Sequence, residues 1–315
     1  MRPASVAASF MGPIVRRGPG GVGYRPVVSM TAPHAPAATP PARPRHDRPV
    51  AIITGASAGI GAATAVELAR TGHDLVLVAR RRERLAEVAA RASDAAKRLV
   101  RTEIVTADVS HAGAAARILD EAERAFGRFD VVYANAGYGL ERPMHRMTSD
   151  ELRAMFETNF FSSTELCNEA ARRLIAAGRG GHLLMCSSCV AKFTLPSFGA
   201  YSASKAAQAH VARAMGYELR PYGIMVSSVH PVTTATEFFE VVREALEDGE
   251  EQQYAIHDLN KFFVQRPEKV ARAIARTIGT SRTEIWTSLP TRVAAGVITA
   301  FPWLLDIAVR ATRRR

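Results

Sequence analysis

The sequence predicts an α/β fold: a doubly wound, seven-stranded parallel sheet flanked by helices on both faces, in a single domain. From residue 50 onward short apolar runs alternate with longer helical patterns. The runs are continuously apolar rather than alternating, as in strands buried on both faces, and helices between such strands supply the crossovers of a parallel sheet. No repeat of fixed short period is present, which argues against a solenoid.

The expected strands, in order, are VAIIT (50–54), DLVLVA (74–79), EIVTAD (103–108), FDVVYAN (129–135), GHLLMCSS (181–188), GIMVSSVH (223–230) and TEIWT (283–287). Helices are expected near 59–72, 82–99, 112–126, 148–177, 200–220 and 267–279. The domain is therefore expected over 50–287. Residues 1–49, rich in Pro, Ala, Gly and Arg without a hydrophobic period, are expected to be a flexible extension. Their Arg excess faintly suggests an organelle transit peptide, but the many Pro and Gly oppose an amphipathic helix, and an over-extended start with translation from Met30 is an alternative.

With 47% hydrophobic residues in 315, the chain has ample material for a core. Its net charge of +11 is concentrated at the ends: +6 in residues 1–49, +4 in 288–315, and only +1 between. That distribution, with no zinc-finger spacing or aromatic-basic interleaving, excludes nucleic acid as an expected partner. Three cysteines, Cys167, Cys186 and Cys189, are too few for a disulfide framework. A reducing, cytoplasmic setting is expected.

After the first expected strand comes TGASAGIG, Thr54 to Gly61. In a βαβ unit such a turn opens a helix whose N–H groups and positive dipole end face a pyrophosphate. In isolation a glycine-rich connecting turn would read the same, and the spacing GxxxGxG differs from the commoner GxGxxG; the position after a strand favours nucleotide binding. The second strand ends in Arg80, Arg81 and Arg82 with no acid. A guanidinium suits a 2′-phosphate, so NADP(H) is expected and NAD(H) is less favoured. Further on, AYSASKAAQAH sets Tyr201 one helical turn before Lys205, close enough for an ammonium to ease a phenol toward ionisation.

These motifs in this order resemble the classical short-chain dehydrogenase/reductase family over about Val50–Thr287, roughly three quarters of the chain. TGASAGIG is similar to the family's cofactor turn, which would bring Gly55, Ser57, Ala58, Gly59, Ile60 and Gly61 to the cofactor with Arg80 and Arg81. ADV, with Asp108 and Val109, resembles the adenine contact, and ANAG, with Asn135, Ala136 and Gly137, the segment after the fourth strand. The resemblance implies a Rossmann-type sheet, an oxidoreductase, and a catalytic set of Asn159, Ser188, Tyr201 and Lys205. In it Tyr201 is the acid and base, Lys205 also holds the nicotinamide ribose, Ser188 hydrogen-bonds the substrate oxygen, and Asn159 anchors a water in a proton relay. Tyr201 and Lys205 thus count among the cofactor contacts too, with Pro231, Val232 and Thr236 after the sixth strand.

Two departures stand out. Val232 takes the place of the family's Gly, and a β-branched residue resists positive φ, so the loop's path past the cofactor need not be the family's. CSSC, Cys186–Cys189, brackets Ser188 with a CxxC spacing; lacking further ligands and lying at a strand end, it is expected to be structural, with no metal.

By the same resemblance the substrate is enclosed by the segment between Ser188 and Tyr201 and by the region after Thr236. Phe193, Leu195, Pro196, Phe198, Phe238 and Phe239 would make its walls apolar, which suggests a lipophilic alcohol or carbonyl compound as the small-molecule partner. The run 288–315 is apolar with Trp303 and flanking arginines but holds Pro302 and Asp306. It is a poor bilayer-spanning helix and is expected to be a helical tail that packs on the core or a second subunit, or lies peripherally on a membrane. A homodimer or homotetramer is implied by resemblance. Two functions follow: an NADP(H)-dependent oxidoreductase, favoured by the intact catalytic set, and the alternative of a non-catalytic NADP-binding sensor or scaffold module.

Overall fold

The computed structural model describes residues 48–232 and 265–312. Seven strands form one sheet, β1 (Val50–Thr54), β2 (Asp74–Ala79), β3 (Thr102–Thr106), β4 (Val131–Ala134), β5 (Gly181–Cys186), β6 (Ile224–His230) and β7 (Glu284–Trp286). All adjacent pairs are parallel, in the order β3-β2-β1-β4-β5-β6-β7. The order reverses direction between β1 and β4, the place where a doubly wound sheet opens a crevice at the C-terminal ends of its strands.

Both faces are covered. On one lie α1 (Gly59–Arg70), α2 (Arg82–Ala95) and α7 (Pro267–Thr277); on the other α3 (Ala114–Phe126), α5 (Ser162–Ala176) and α6 (Gly199–Glu218). The strands alternate between the two cores: Val50 and Ile52 pack with Leu119, Leu166 and Met215, while Ala51 and Ile53 pack with Leu68, Leu85 and Ile274. This is why the strands read as unbroken apolar runs, each large side chain contributing about 1.5–3 kcal/mol when buried. Most expected elements stand within a few residues of their predicted limits, the strands ending sooner because their last residues turn into the crevice.

The expected helix 148–177 is divided. A capping box of Thr148 and Glu151 starts α4 (Ser149–Phe156), and a π-helical turn, Glu157–Phe161, separates it from α5. Widening the turn disturbs the backbone ladder, and two hydroxyls take up its carbonyls: Ser162 Oγ donates to Thr158 O (2.6 Å) and Ser163 Oγ to Asn159 O (2.8 Å). The C-terminal run forms two helices, α8 (Leu289–Ala300) and α9 (Trp303–Thr312), bent by 106° around Pro302. No single helix among the described residues is long and apolar enough to cross a membrane.

Candidate active site

The strand ends surround a cleft of about 790 Å³. Its floor is fixed by a clasp between β1 and β4. Thr54 Oγ1 accepts from the N–H groups of Asn135 (3.0 Å) and Ala136 (3.1 Å), and Asn135 Nδ2 donates to the carbonyls of Thr54 (3.0 Å) and Gly55 (3.3 Å). Gly55 and Gly59 turn the chain at φ of 64° and 54°, a region that favours glycine. No side chain caps the first turn of α1 and no acid lies in it, so its N–H groups face the cleft beside Ser57.

On the adenosine side, Arg80 lies 3.8 Å from the Asp108 carboxylate and Arg81 donates to Ser57 Oγ (3.3 Å). Asp108 also accepts from the hydroxyl (2.7 Å) and N–H (3.0 Å) of Ser110; these bonds, with Arg80 adding to them, hold its carboxyl below the usual range. Of the expected cofactor residues, Gly55, Ser57, Ala58, Gly59, Ile60, Arg80, Arg81, Asp108, Val109, Asn135, Ala136, Gly137, Tyr201, Lys205, Pro231 and Val232 all line the cleft. Gly61 does not: it sits behind the turn, where a Cβ would lie 2.3 Å from Gly55 O. Thr236, Phe238 and Phe239 lie outside the described residues. Val232 is buried, and Ser197 is the one non-glycine at positive φ among the described residues, so Val232 passes the cleft without that strain.

Ser188, Tyr201 and Lys205 meet at the opposite wall. The Ser188 hydroxyl and the Tyr201 phenol line the same wall, and the hydroxyl favours the ionised phenol. Lys205, 3% exposed, donates from Nζ to Cys186 O (2.7 Å) and stands 5.7 Å from the centre of the Tyr201 ring. The spacing predicts a phenol eased toward ionisation by this ammonium. In the protein itself burial dominates: it pushes the Tyr201 phenol up, against the opposing Ser188 hydroxyl, and pushes the Lys205 ammonium down.

Asn159 is fully buried and does not line the cleft. Its amide bridges elements instead, accepting from Tyr138 N (2.9 Å) and donating to Tyr138 O (2.9 Å) and Ser204 Oγ (3.1 Å). Ser204 in turn donates to Tyr201 O (2.8 Å), so the amide braces the first turn of α6. Of the expected walls, Leu195 and Phe198 line the cleft, with Tyr138 and Val190; Phe193 and Pro196 do not. Cys186 and Cys189 are buried free thiols, and burial pushes Cys189 up, which disfavours a reactive thiolate there.

A supporting layer has no motif in the sequence. His230 shares a hydrogen bond at Nδ1 with Ser188 O (2.9 Å) and at Nε2 with Ser228 Oγ (2.9 Å), and stacks on Trp286 at 4.6 Å. Trp286 Nε1 donates to Glu284 Oε2 (2.9 Å), and Lys192 and Arg213 pair with Oε1. Burial alone would raise the Glu284 carboxyl, but the Lys192 and Trp286 bonds override it and hold it at about 2. Burial lowers the His230 and His182 imidazoles to about 4.

These histidines predict an acid-sensitive fold. Their folded values lie below the unfolded 6.5, so the stability they confer is full above pH 6.5 and is lost as pH falls toward 4. The loss is expected to approach about 3 kcal/mol for each histidine. Urea midpoints measured from about pH 7.5 to about pH 4 should fall steadily; constant midpoints would contradict buried neutral imidazoles.

The sequence profile of the short chain dehydrogenase family matches residues 49–247. The chain belongs to the short-chain dehydrogenase/reductase family. A short-chain type dehydrogenase/reductase of Picea abies is 35% identical over 196 residues, 60% of this chain and 72% of that protein. Among solved structures, a short-chain dehydrogenase from Sphingobium yanoikuyae in complex with NADPH is 27% identical with a TM-score of 0.65, covering 82% of this chain and 95% of that one. One from Mycobacterium paratuberculosis bound to NAD is also 27% identical with a TM-score of 0.65, covering 76% and 95%. As a short-chain dehydrogenase/reductase the protein is an oxidoreductase on a nucleotide-binding Rossmann fold, and of the two solved structures one is bound to NADPH and the other to NAD. The residues present suit such a group: an uncapped helix start, two guanidiniums, and Gly137, where a Cβ would meet Asn159 Oδ1 at 2.8 Å and Lys205 Nζ at 3.3 Å.

Proposed function

We propose that this short-chain dehydrogenase/reductase interconverts an alcohol and a carbonyl on a lipophilic small molecule, using NADP(H), with Tyr201 as general acid and base. The observation that carries this reading is the meeting of Ser188, Tyr201 and Lys205 on the same cleft as the α1 N-terminus and Arg80–Arg81. The α1 turn and the two arginines would hold the phosphates, and Lys205 the nicotinamide ribose. When bound, the nicotinamide supplies or accepts the hydride.

The chain's own residues handle the proton and the oxygen. Ser188 donates a hydrogen bond to the substrate oxygen and steadies its developing charge. Tyr201, kept protonated at neutral pH by burial, is poised to donate its proton to that oxygen in the reductive direction. His230 keeps the Ser188 backbone in place, and Asn159, through Ser204, holds the start of α6. The apolar wall of Leu195, Phe198, Val190 and Tyr138 excludes water and favours a lipophilic carbonyl. Following NADPH absorbance with a panel of aldehydes, ketones and quinones tests the activity; absence of turnover across the panel, with NADPH bound, would favour a non-catalytic sensor.

Cofactor choice is tested separately. Charge-assisted bonds from two guanidiniums to a 2′-phosphate are worth a few kcal/mol together, so Arg80→Ala with Arg81→Ala should weaken NADPH binding about tenfold to hundredfold. NADH binding should change little. Titration of cofactor fluorescence would measure both, and equal weakening of the two dinucleotides would defeat the assignment.

A further inference from the structure

Away from the cleft, α7 turns Lys269, Arg272 and Arg276 outward at i, i+3 and i+7, one stripe of a helix. With Arg282 and Arg292 they line an open groove of about 1010 Å³. Glu284 is the acid lining it, and both its oxygens are already engaged, by Lys192, Arg213 and Trp286. Among the described residues none of these five cations forms an ion pair. Such a groove calls for an anion.

Leu289 lines this groove and also begins an apolar face. Leu289, Val293 and Val297 follow at i, i+4 and i+8 along α8 and border a shallow apolar cavity of about 590 Å³. Phe301, Trp303 and Ile307 extend the exposed apolar surface around the bend, with Leu289 69%, Trp303 56% and Ile307 58% exposed. Exposed apolar side chains in such number mark a contact surface. An anionic groove-filler with apolar material beside it is the chemistry of a phospholipid surface.

We propose that α7, α8 and α9 form a docking face for an anionic phospholipid bilayer, the basic groove meeting headgroup phosphates and the Leu289–Ile307 edge entering the acyl boundary. Helix length excludes spanning: the 12 residues of α8 reach about 18 Å against about 30 Å of hydrocarbon, and the 106° bend turns α9 away from a common axis. A Trp at the apolar edge and arginines beside it suit a helix lying in the interface. A second copy is a poorer occupant, because two-fold pairing of this face would set the unpaired arginines against their own like charges.

The full chain should sediment with vesicles of phosphatidylcholine and phosphatidylglycerol and stay in solution with phosphatidylcholine alone. Arg272→Glu with Arg276→Glu should lower binding on the order of 100-fold, since each basic residue near an anionic surface contributes about tenfold or less and reversal adds repulsion. Val293→Asp with Val297→Asp should lower it comparably. Both pairs are exposed, so circular dichroism melts should match the parent, and Arg153→Glu, on the exposed face of α4, should bind as the parent does. Equal binding to neutral and anionic vesicles, or none to either, would overturn the proposal. So would retention of binding by both double variants with loss on removing Arg313–Arg315, which would assign it to the basic end, or conversion of a dimer to a monomer by Val293→Asp with vesicle binding intact.

Discussion

Tyr201→Phe is expected to lower kcat by about 10²–10⁴-fold, the usual contribution of a positioned acid or base, while NADPH affinity stays within a few-fold of the parent. The phenol lines the cleft with Ser188 and packs edge-on to Phe198 at 6.5 Å between ring centres. Phe keeps the ring and its contacts and removes the proton alone. Because burial pushes the phenol up, the parent should reduce carbonyls at a rate that varies little across neutral pH. Alcohol oxidation, which needs the phenolate, should rise as pH is raised. Rates from NADPH absorbance and affinities from its fluorescence separate the two effects. Turnover by Tyr201→Phe equal to the parent's would remove Tyr201 from the reaction; a parallel loss of NADPH binding would make it a cofactor ligand instead.

Gly61→Ala is expected to act on the fold as strongly as any single methyl in the molecule. The added Cβ would lie 2.3 Å from Gly55 O and 2.7 Å from Asn135 Nδ2, and Gly55 O is itself held by that amide. Neither obstacle is the free end of a flexible side chain, so either α1 or the β1 turn must move. Overpacking of this kind costs about 1–3 kcal/mol, occasionally more, and the displaced turn is the one that faces the cleft. Urea unfolding should show the loss and fluorescence titration a weaker NADPH complex. Gly216→Ala, within α6, is the control: its Cβ would find its nearest neighbour, Val226 O on β6, at an ordinary 3.6 Å, and helix propensity favours Ala by about 1 kcal/mol. A Gly61→Ala protein as stable as the parent would show that the turn has slack.

Much of this arrangement was legible in the residues. Strands buried on both faces announce themselves by continuous apolar runs, and the cleft residues from Gly55 to Val232 stand at strand ends where the alternation places them. What escaped is held by backbone atoms, which residue type does not encode. Tyr138 matters through its N–H and carbonyl, which grip Asn159; Lys205 and His230 reach the carbonyls of Cys186 and Ser188. The expectation of an apolar wall at Phe193 and Pro196 missed because the loop turns at Ser197, φ 66°, and presents Leu195 and Phe198 to the cleft. Spacing reports the proximity of Lys205 to Tyr201 and leaves out the cost of burying both groups.

The π turn at Glu157–Phe161 carries a consequence for how this chain can vary. A wide turn holds one residue more than the α turn it replaces, so everything after it is rotated by about 100° relative to an unbroken rod. That offset lets α4 face α6 while α5 faces the sheet. Losing or gaining one residue here would swing Asn159 away from Tyr138 and Ser204. The span is therefore intolerant of changes in length.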